Sequence, residues 1–230
     1  MKKIIIRLME QSVIFKKAAQ MLLPLYFYIQ KKRQNHLFHR HGMELLTHFK
    51  SCLNKRNVDF WLSSGTLLGA YREHKLLGHD LDLDVAMFIE DKDKAAAALI
   101  DGGFRLEHEF GIVGEEGIKE QSFSYRNVKI DIFYTEKIGN NFVNHAFFKD
   151  KVSSKNDDFN VIEVHYPVTD FVEYDFLGNK FLIPAKTVEW LTCNYGENFM
   201  VPNKNWDYHT DIPAAKYWPI NEKRGYCIFH

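Results

Sequence analysis

Three aspartates alternate with apolar residues in the stretch GHDLDLDVAMF, residues 78–88. On a β-strand, residues two apart point to the same side, so Asp80, Asp82 and Asp84 are predicted to share one face. Such carboxylates repel one another unless a cation joins them, and hard oxygen ligands suit Mg²⁺ or Mn²⁺. A solvated edge strand is the alternative interpretation. The apolar residues between the acids favour a central strand and hence a metal site.

A further acid, Asp131, stands in the middle of the apolar stretch VKIDIF, residues 128–133. A carboxylate in an apolar strand is costly to bury unless it is paired or bound to a metal. If this strand lies beside the strand of residues 81–88, Asp131 completes a cluster of three carboxylates. The sequence therefore predicts one acidic site built from two separate strands.

A turn that is suited to phosphate lies upstream of these strands. Gly65 and Thr66 follow the predicted strand 58–62 and precede a short predicted helix. Free backbone N–H groups and the helix dipole at such a turn attract an anion. Arg72 and Lys75 come just after that helix and would hold further negative charge.

Hydrophobic periodicity predicts a domain of alternating helices and strands. Apolar residues at helical spacing predict a helix over residues 37–53, and Arg126-Asn127 reads as the tight turn of a hairpin. The residues after Pro202 are predicted to be irregular. The other predicted strands cover residues 104–110, 121–125, 128–134, 141–148 and 161–164, and the other predicted helices cover residues 91–101 and 185–195.

Composition limits the class of protein. The chain has 230 residues, of which 46% are hydrophobic and 26% charged, which is typical of a globular domain and argues against a disordered chain. Its three cysteines are far apart and form no CxxC pair, which argues against a disulfide framework and a structural zinc site. Four histidines between residues 36 and 48 have no acid or cysteine pattern that completes a metal site, so we interpret them as a solvated or satisfied helical face.

The first 40 residues carry nine Lys or Arg and one acid, although the net charge of the chain is zero. Within them, an apolar stretch at residues 18–29 contains Pro24 and has basic residues on both sides. It is shorter than the roughly 20 residues that a spanning helix needs, and no signal cleavage site follows it. Two interpretations remain open: an interfacial helix on anionic lipid, or a helix that packs on the domain or on a second copy. Because the body is acidic, nucleic-acid binding is not expected.

The order of a small-residue turn, paired aspartates and a later aspartate resembles the nucleotidyltransferase fold. Within that fold, the sequence is similar to the LicD/fukutin family of phosphotransferases over roughly residues 58–206. His79 and Leu81 stand where the family usually has Trp and Asp. The stretches that carry the resemblance are GTLLGAYR at 65–72, HDLDLD at 79–84, IDIF at 130–133, and the later Ile183-Pro184-Ala185, Trp190-Leu191, Tyr195-Gly196 and Pro202.

The resemblance implies an α+β fold: a nucleotidyltransferase-like mixed β-sheet flanked by helices, with an N-terminal basic amphipathic helix. We expect a leader over residues 1–35 and a LicD-like catalytic domain over residues 36–230. The expected location is cytoplasmic, peripheral at the inner face of the membrane through residues 1–33.

The resemblance also implies an activity. Family members transfer a phosphoryl-linked small group from a donor such as CDP-choline or CDP-ribitol to a sugar hydroxyl on a glycan, here one of a cell-surface lipopolysaccharide or capsule. Mg²⁺ or Mn²⁺ is the implied cofactor. The implied catalytic and metal-binding residues are Asp82, Asp84 and Asp131, the last also as base toward the acceptor hydroxyl; the implied substrate-binding residues are Gly65, Thr66, Arg72, Lys75 and Asp80.

Two other functions are compatible with the same residues. The first is a nucleotidyltransferase that moves a nucleoside monophosphate from a nucleoside triphosphate. The second is an inactive member of the fold that only binds its ligand. The acids at 80–84 and 131 do not separate these possibilities.

Overall fold

The computed structural model describes residues 13–149 and 158–230. It begins with a long helix, α1 (Val13–Asn54). From Phe38 onward this helix buries one apolar side, on which Leu46 and Phe49 are fully enclosed. The helix predicted for residues 37–53 is therefore confirmed.

The rest of the chain folds into short helices and eleven strands among the described residues. In chain order these are β1 (Trp61–Leu62), α2 (Ser64–Leu68), a π-helical turn (Gly69–Glu73), β2 (Asp82–Phe88), a 3-10 turn (Ile89–Asp91), α3 (Lys92–Asp101), β3 (Arg105–Ile112), β4 (Ile118–Tyr125), β5 (Val128–Ile138), β6 (Asn141–Phe148), β7 (Phe159–Pro167), β8 (Phe171–Phe176), β9 (Asn179–Pro184), α4 (Thr187–Tyr195), β10 (Ala215–Trp218) and β11 (Arg224–Phe229).

The strands form one mixed sheet, as the α+β prediction requires. Its order is β10-β7-β11-β3-β4-β5-β2-β1-β9-β8, and β6 bridges β5 and β7. β2 runs parallel to β5 and β1 parallel to β9, whereas the other pairs are antiparallel. Because β11 pairs with both β3 and β7, the strands β3, β4, β5, β6, β7 and β11 close into a ring. β2 joins this ring on the far side of β5.

Two apolar cores lie on opposite sides of β2. Leu83 and Val85 are fully buried in the larger core, which α1 and α3 cover. Ala86 belongs to the second core, together with Trp61 and Trp190 of α4. The period of two along β2 thus separates apolar side chains from acidic ones, as the sequence predicts.

The loop of the β4–β5 hairpin has the backbone conformation that the sequence predicts. Arg126 and Asn127 both have positive φ values, 52° and 63°. This is the backbone that a two-residue hairpin loop needs, and asparagine tolerates it better than most residues. The predicted tight turn is confirmed.

The residues after Pro202 depart from the prediction. They were expected to be irregular, but they supply β10 and β11. β11 pairs with β3, more than a hundred residues earlier in the chain, and so closes the ring. The segment from 171 to 184 likewise forms a complete hairpin of β8 and β9. The pairing of β11 with β3 is too distant to leave a local pattern, which is why the sequence did not reveal it.

The predicted leader lies on the first half of α1. α1 runs without interruption across position 35 and contains Pro24. Phe27, Tyr28 and Ile29 on this part of the helix are all more than half exposed. Residues 1–12 lie outside the described residues, and the division at residue 35 stays a prediction. None of the helices in the described part of the chain has the length and apolar content to cross a membrane.

Candidate active site

The acids of β2 and β5 meet because the two strands are parallel neighbours. Asp84 lies directly opposite Asp131 in the register, and Asp82 lies opposite Lys129. Register partners on adjacent strands point to the same face, so Asp82, Asp84 and Asp131 share one side of the sheet. The structure therefore brings together the three acids that the sequence predicted as one cluster.

The turn at the start of α2 presses against these acids. The backbone N–H of Gly65 donates a hydrogen bond of 2.9 Å to Asp84 Oδ2. A Cβ atom on residue 65 would lie 2.9 Å from Asp80 Oδ2 and 3.0 Å from Asp84 Oδ2. Only glycine leaves room for both carboxylates at this turn.

Thr66 was predicted to contact phosphate together with Gly65, but its side chain points away from the cavity. Its side chain is buried, and its hydroxyl accepts a 2.8 Å hydrogen bond from the backbone N–H of Asp84. It ties α2 to β2 and lies outside the cavity wall that the described residues form. Its visible contact is therefore structural.

Burial and the charges of neighbouring acids raise the pKa values of the aspartates in this group. Burial is the larger cause; together with the charge of Asp82 it raises the pKa of Asp131 to about 7. Burial also raises the pKa of Asp80 to about 6, opposed by His79 and reinforced by Asp82. The pKa of Asp84 is raised well above its usual value by burial and then by its acidic neighbours. Folding thus favours the protonated acids, and a bound cation would reverse this preference.

The donor set suits a hard divalent cation. Asp131 Oδ1 is buried and has no hydrogen-bond partner among the described residues. Carboxylate oxygens are the ligands that Mg²⁺ and Mn²⁺ take, and a cation would relieve the repulsion described above. No set of three His, Cys, Asp or Glu side chains in residues 13–149 and 158–230 is already arranged around a common metal position. A cation that binds here would draw the carboxylate oxygens toward one common position.

The acids open into a cavity of about 1180 Å³. It is bounded by the α2 turn, by strands β2 and β4–β7, and by the segment that follows α4. This volume is large enough for a nucleotide-sized ligand. The polar residues of its wall are Ser64, Arg72, Glu73, His79, Asp80, Asp82, Asp84, Glu120, Asp131, Asn144, His145, Asn194, Asn198, Asn203 and Lys204.

Glu120 is a buried acid that sequence analysis missed. It is 7% exposed, and burial followed by the charges of Asp131, Asp84 and Asp82 raises its pKa well above its usual value. It lies on β4 two residues before Ser122, which is the register partner of Asp131. The available signal was the polar alternation in KEQSFSY, a strand that is nevertheless buried.

The predicted basic residues differ in their positions. Arg72 lines the cavity, donating to the carbonyl oxygen of Phe199 at 3.0 Å and to Glu73 at 2.9 Å. Its Nε is buried without a partner in the described part of the chain. Lys75, by contrast, has a side chain that is 66% exposed and lies near Glu73, outside the cavity wall. The structure brings Arg72 to the site and leaves Lys75 at the surface.

Helix α1 supports the loop that carries Asp80. The side-chain amide of Asn35 donates to the backbone oxygens of Gly78 and Asp80, at 3.0 Å each. His39 Nε2 lies 3.3 Å from the oxygen of Gly78. The position of Asp80 thus depends on a helix about 40 residues earlier in the chain.

The end of α4 and the segment after it contribute aromatic and amide side chains to the cavity wall. The rings of Tyr195 and Trp206 are 4.8 Å apart, and both residues line the cavity. Asn194 accepts a 2.8 Å hydrogen bond from the hydroxyl of Tyr166. Asp207, the next residue along the chain from Trp206, instead stabilises the 207–211 loop by accepting from the backbone N–H of His209.

A family model described as LicD/FKTN/FKRP, nucleotidyltransferase domain, matches residues 57–186. Two proteins named ribitol-5-phosphate transferase FKTN, from Macaca fascicularis and Homo sapiens, are 33% and 32% identical to this chain over 190 residues. These alignments cover 80% of this chain and 39% of each relative. The chain thus spans about two fifths of the length of these curated relatives.

The chain also has general likeness to solved structures of antibiotic-modifying proteins. The antibiotic-resistance factor ANT(2'')-Ia matches with a TM-score of 0.46 and 13% identity, covering 74% of this chain and 78% of that chain. The lincosamide antibiotic adenylyltransferase LnuA matches with a TM-score of 0.40 and 12% identity, covering 67% and 90%.

We predict that Asp131→Asn stabilises the metal-free protein more at pH 8 than at pH 4. The raised pKa of Asp131 means that folding favours its protonated form, so the wild type loses stability as pH rises from about 4 to about 7. The variant carries no such charge, and its free energy of unfolding should exceed that of the wild type by ~1 kcal/mol or more at pH 8.

Urea unfolding in the presence of a chelator, repeated across pH 4–8, measures this difference. Asp93→Asn is the matched control, because the Asp93 side chain is 91% exposed on α3. Its difference from the wild type should not change between pH 4 and pH 8. A difference for Asp131→Asn that is equally constant over this range would contradict the electrostatic account.

Proposed function

This chain belongs to the LicD/FKTN/FKRP nucleotidyltransferase-domain family, and on that premise we propose that it is a metal-dependent phosphotransferase. It transfers a polyol phosphate or a similar phosphoryl-linked group from a CDP-linked donor to a sugar hydroxyl of a glycan. The observation that carries the proposal is the group of half-buried acids Asp82, Asp84 and Asp131 at a large cavity. The relatives named as ribitol-5-phosphate transferases favour ribitol phosphate as the transferred group.

The reaction is a displacement at the phosphorus that carries the small group. The acceptor hydroxyl oxygen bonds to that phosphorus, the bond from the phosphorus to the bridging pyrophosphate oxygen breaks, and CMP leaves with the electron pair. The hydroxyl proton passes to a base, the role that the family resemblance assigns to Asp131. The product is a phosphodiester between the small group and the sugar.

The residues of the site divide this work between charge and alignment. Asp82, Asp84 and Asp131 would hold Mg²⁺ or Mn²⁺, which when bound neutralises the charge of the donor pyrophosphate. Arg72 places a guanidinium in the same cavity wall, where it stabilises charge on the transferred phosphoryl group. The N–H at Gly65 faces the acids and becomes available to a phosphate oxygen if Asp84 turns toward the metal.

We expect Mg²⁺-dependent release of CMP when the protein is given a CDP-linked donor and a glycan acceptor. A panel of CDP-ribitol, CDP-choline and nucleoside triphosphates, followed by product analysis, identifies both the donor and the bond that breaks. Release of pyrophosphate from a nucleoside triphosphate would instead identify a nucleotidyltransferase. Absence of turnover together with calorimetric binding of a donor would identify a binding member of the family.

We predict that Asp84→Asn lowers the rate of transfer by about 100-fold or more without unfolding the protein. The substitution removes a metal-binding charge, whereas removing one acid from a crowded group relieves repulsion and preserves stability. The measurement pairs initial rates at saturating Mg²⁺ with an unfolding curve. Asp93→Asn changes the same charge on the surface and should retain full activity; full activity in Asp84→Asn would end the metal-site hypothesis.

We also propose that the N-terminal segment holds the enzyme against an anionic membrane at its cytoplasmic face. Leu22, Leu25 and Phe27 are more than half exposed, and Lys31, Lys32 and Arg33 follow on the same helix. Exposed apolar residues next to basic ones favour an anionic lipid surface.

The test compares the chain with a variant that lacks residues 1–33, on vesicles with and without anionic lipid. We expect deletion to abolish sedimentation with anionic vesicles. Unchanged sedimentation would refute the proposal, and a change in oligomeric state alone would point to a second copy as the occupant of this surface.

A further inference from the structure

His145 lies in the cavity wall on β6, outside every motif that the sequence analysis singled out. The residue is 3% exposed. Its register partner across the β6–β7 pair is Glu163, so the two side chains share a face. The ring Nε2 lies 3.8 Å from Glu163 Oε2, close to the carboxylate but beyond the distance of a short hydrogen bond.

The carboxylate of Glu163 is fixed by three further donors. His165 Nε2 lies 2.7 Å from Oε1, while the indole N–H of Trp218 at 3.0 Å and Lys223 Nζ at 3.3 Å donate to Oε2. The His145 ring, followed by these groups, holds the pKa of Glu163 well below its usual range. A charged carboxylate on this side of the ring favours the tautomer with the proton on Nε2, which leaves Nδ1 as a hydrogen-bond acceptor.

That second nitrogen has no visible partner. His145 Nδ1 is buried and lacks a hydrogen bond from any of the described residues. A buried polar atom left unpaired is costly, so an atom in this position is expected to meet a partner in the working protein. A ligand hydroxyl that enters the cavity supplies the missing donor.

We propose that His145 Nδ1 accepts a hydrogen bond from a hydroxyl group of a polyhydroxylated substrate, and that Glu163 is the positioning residue that orients the ring. The proposal rests on the proposed function and extends it from the phosphate-handling acids to the recognition of hydroxyl groups. The polyol of the donor and the sugar of the acceptor share this chemistry, so the experiment has an arm for each.

Two substitutions separate a substrate contact from a structural role. In His145→Asn, the amide oxygen replaces Nδ1 as an acceptor but the contact with Glu163 is lost. In His145→Gln, the longer side chain replaces Nε2 near Glu163 but leaves the Nδ1 position without an acceptor. We expect the Gln variant to raise the KM of one substrate about tenfold, the worth of one hydrogen bond, and the Asn variant to raise it less.

The substrate whose KM rises identifies the source of the hydroxyl. His165→Asn is the matched control, because His165 contacts the same carboxylate but lies outside the cavity wall that the described residues form. Its KM values should equal those of the wild type. An equal rise in His165→Asn, or a larger defect in His145→Asn than in His145→Gln, would assign His145 a structural role and overturn the proposal.

Measurement of equilibrium binding tests the His145 contact even if the protein has no transfer activity. Calorimetry measures the dissociation constants of CDP-ribitol and of a panel of methyl glycosides for the wild type and both variants, with thermal unfolding as the check on folding. Weaker binding of one probe by His145→Gln alone supports the contact even if the wild type releases no CMP, a result that would refute the proposed function. Wild-type affinity of His145→Gln for every probe overturns the contact even if transfer is confirmed.

Discussion

The burial of several carboxylates on one face of the sheet is the constraint on which the rest of the structure depends. Loss of solvation raises the pKa of Asp82, Asp84 and Asp131, and the charges of neighbouring acids raise the pKa of Asp84 and Asp131 further. A fold does not gain stability from such a group, so other interactions must offset its cost. They are found directly behind it, because Leu83 and Val85 on the opposite face of β2 are fully buried against α1 and α3. The same strand therefore supplies both the destabilising site and part of the core that supports it.

The approach of α2 to β2 sets the shape of the acidic group. Gly65 admits the carboxylates of Asp80 and Asp84 where any Cβ would meet them, and Thr66 fixes the backbone of Asp84 from behind. Asn35 of α1 holds the loop of Asp80 from a third direction. Each contact joins elements that are distant in the chain, which places the acids against rigid supports. Such preorganisation suits phosphoryl transfer, in which alignment and charge neutralisation contribute most of the rate.

Features set by interactions between residues close in the chain were predicted correctly, whereas features set by distant residues were missed. The central strand of acids, the hairpin at Arg126-Asn127 and the later part of α1 were predicted correctly, because alternation, turn chemistry and helical spacing are local signals. The strands after Pro202 were missed, since β11 forms only through distant partners. Glu120 was missed for a similar reason: a single acid on a strand looks solvated until β5 and β2 are placed beside it. Thr66 and Lys75 were predicted to bind phosphate from their proximity to Gly65 in the chain, but one faces the protein interior and the other the solvent.

The sequence by itself determined that Asp82 and Asp84 share one face of a strand and that Asp131, an acid in an apolar strand, needs a partner; the family resemblance predicted that they form one site. Only the tertiary structure decided what surrounds them. The pairing of β6 with β7 places His145 beside Glu163, and strands, the α2 turn and the segment after α4 together form the cavity; neither residue stands out in the sequence. A single strand reports which of its own residues share a face, whereas the residues that face them from other strands are set by register and closure. Alternation along a single strand identifies the acids, and the pairing of several strands determines which other residues face them.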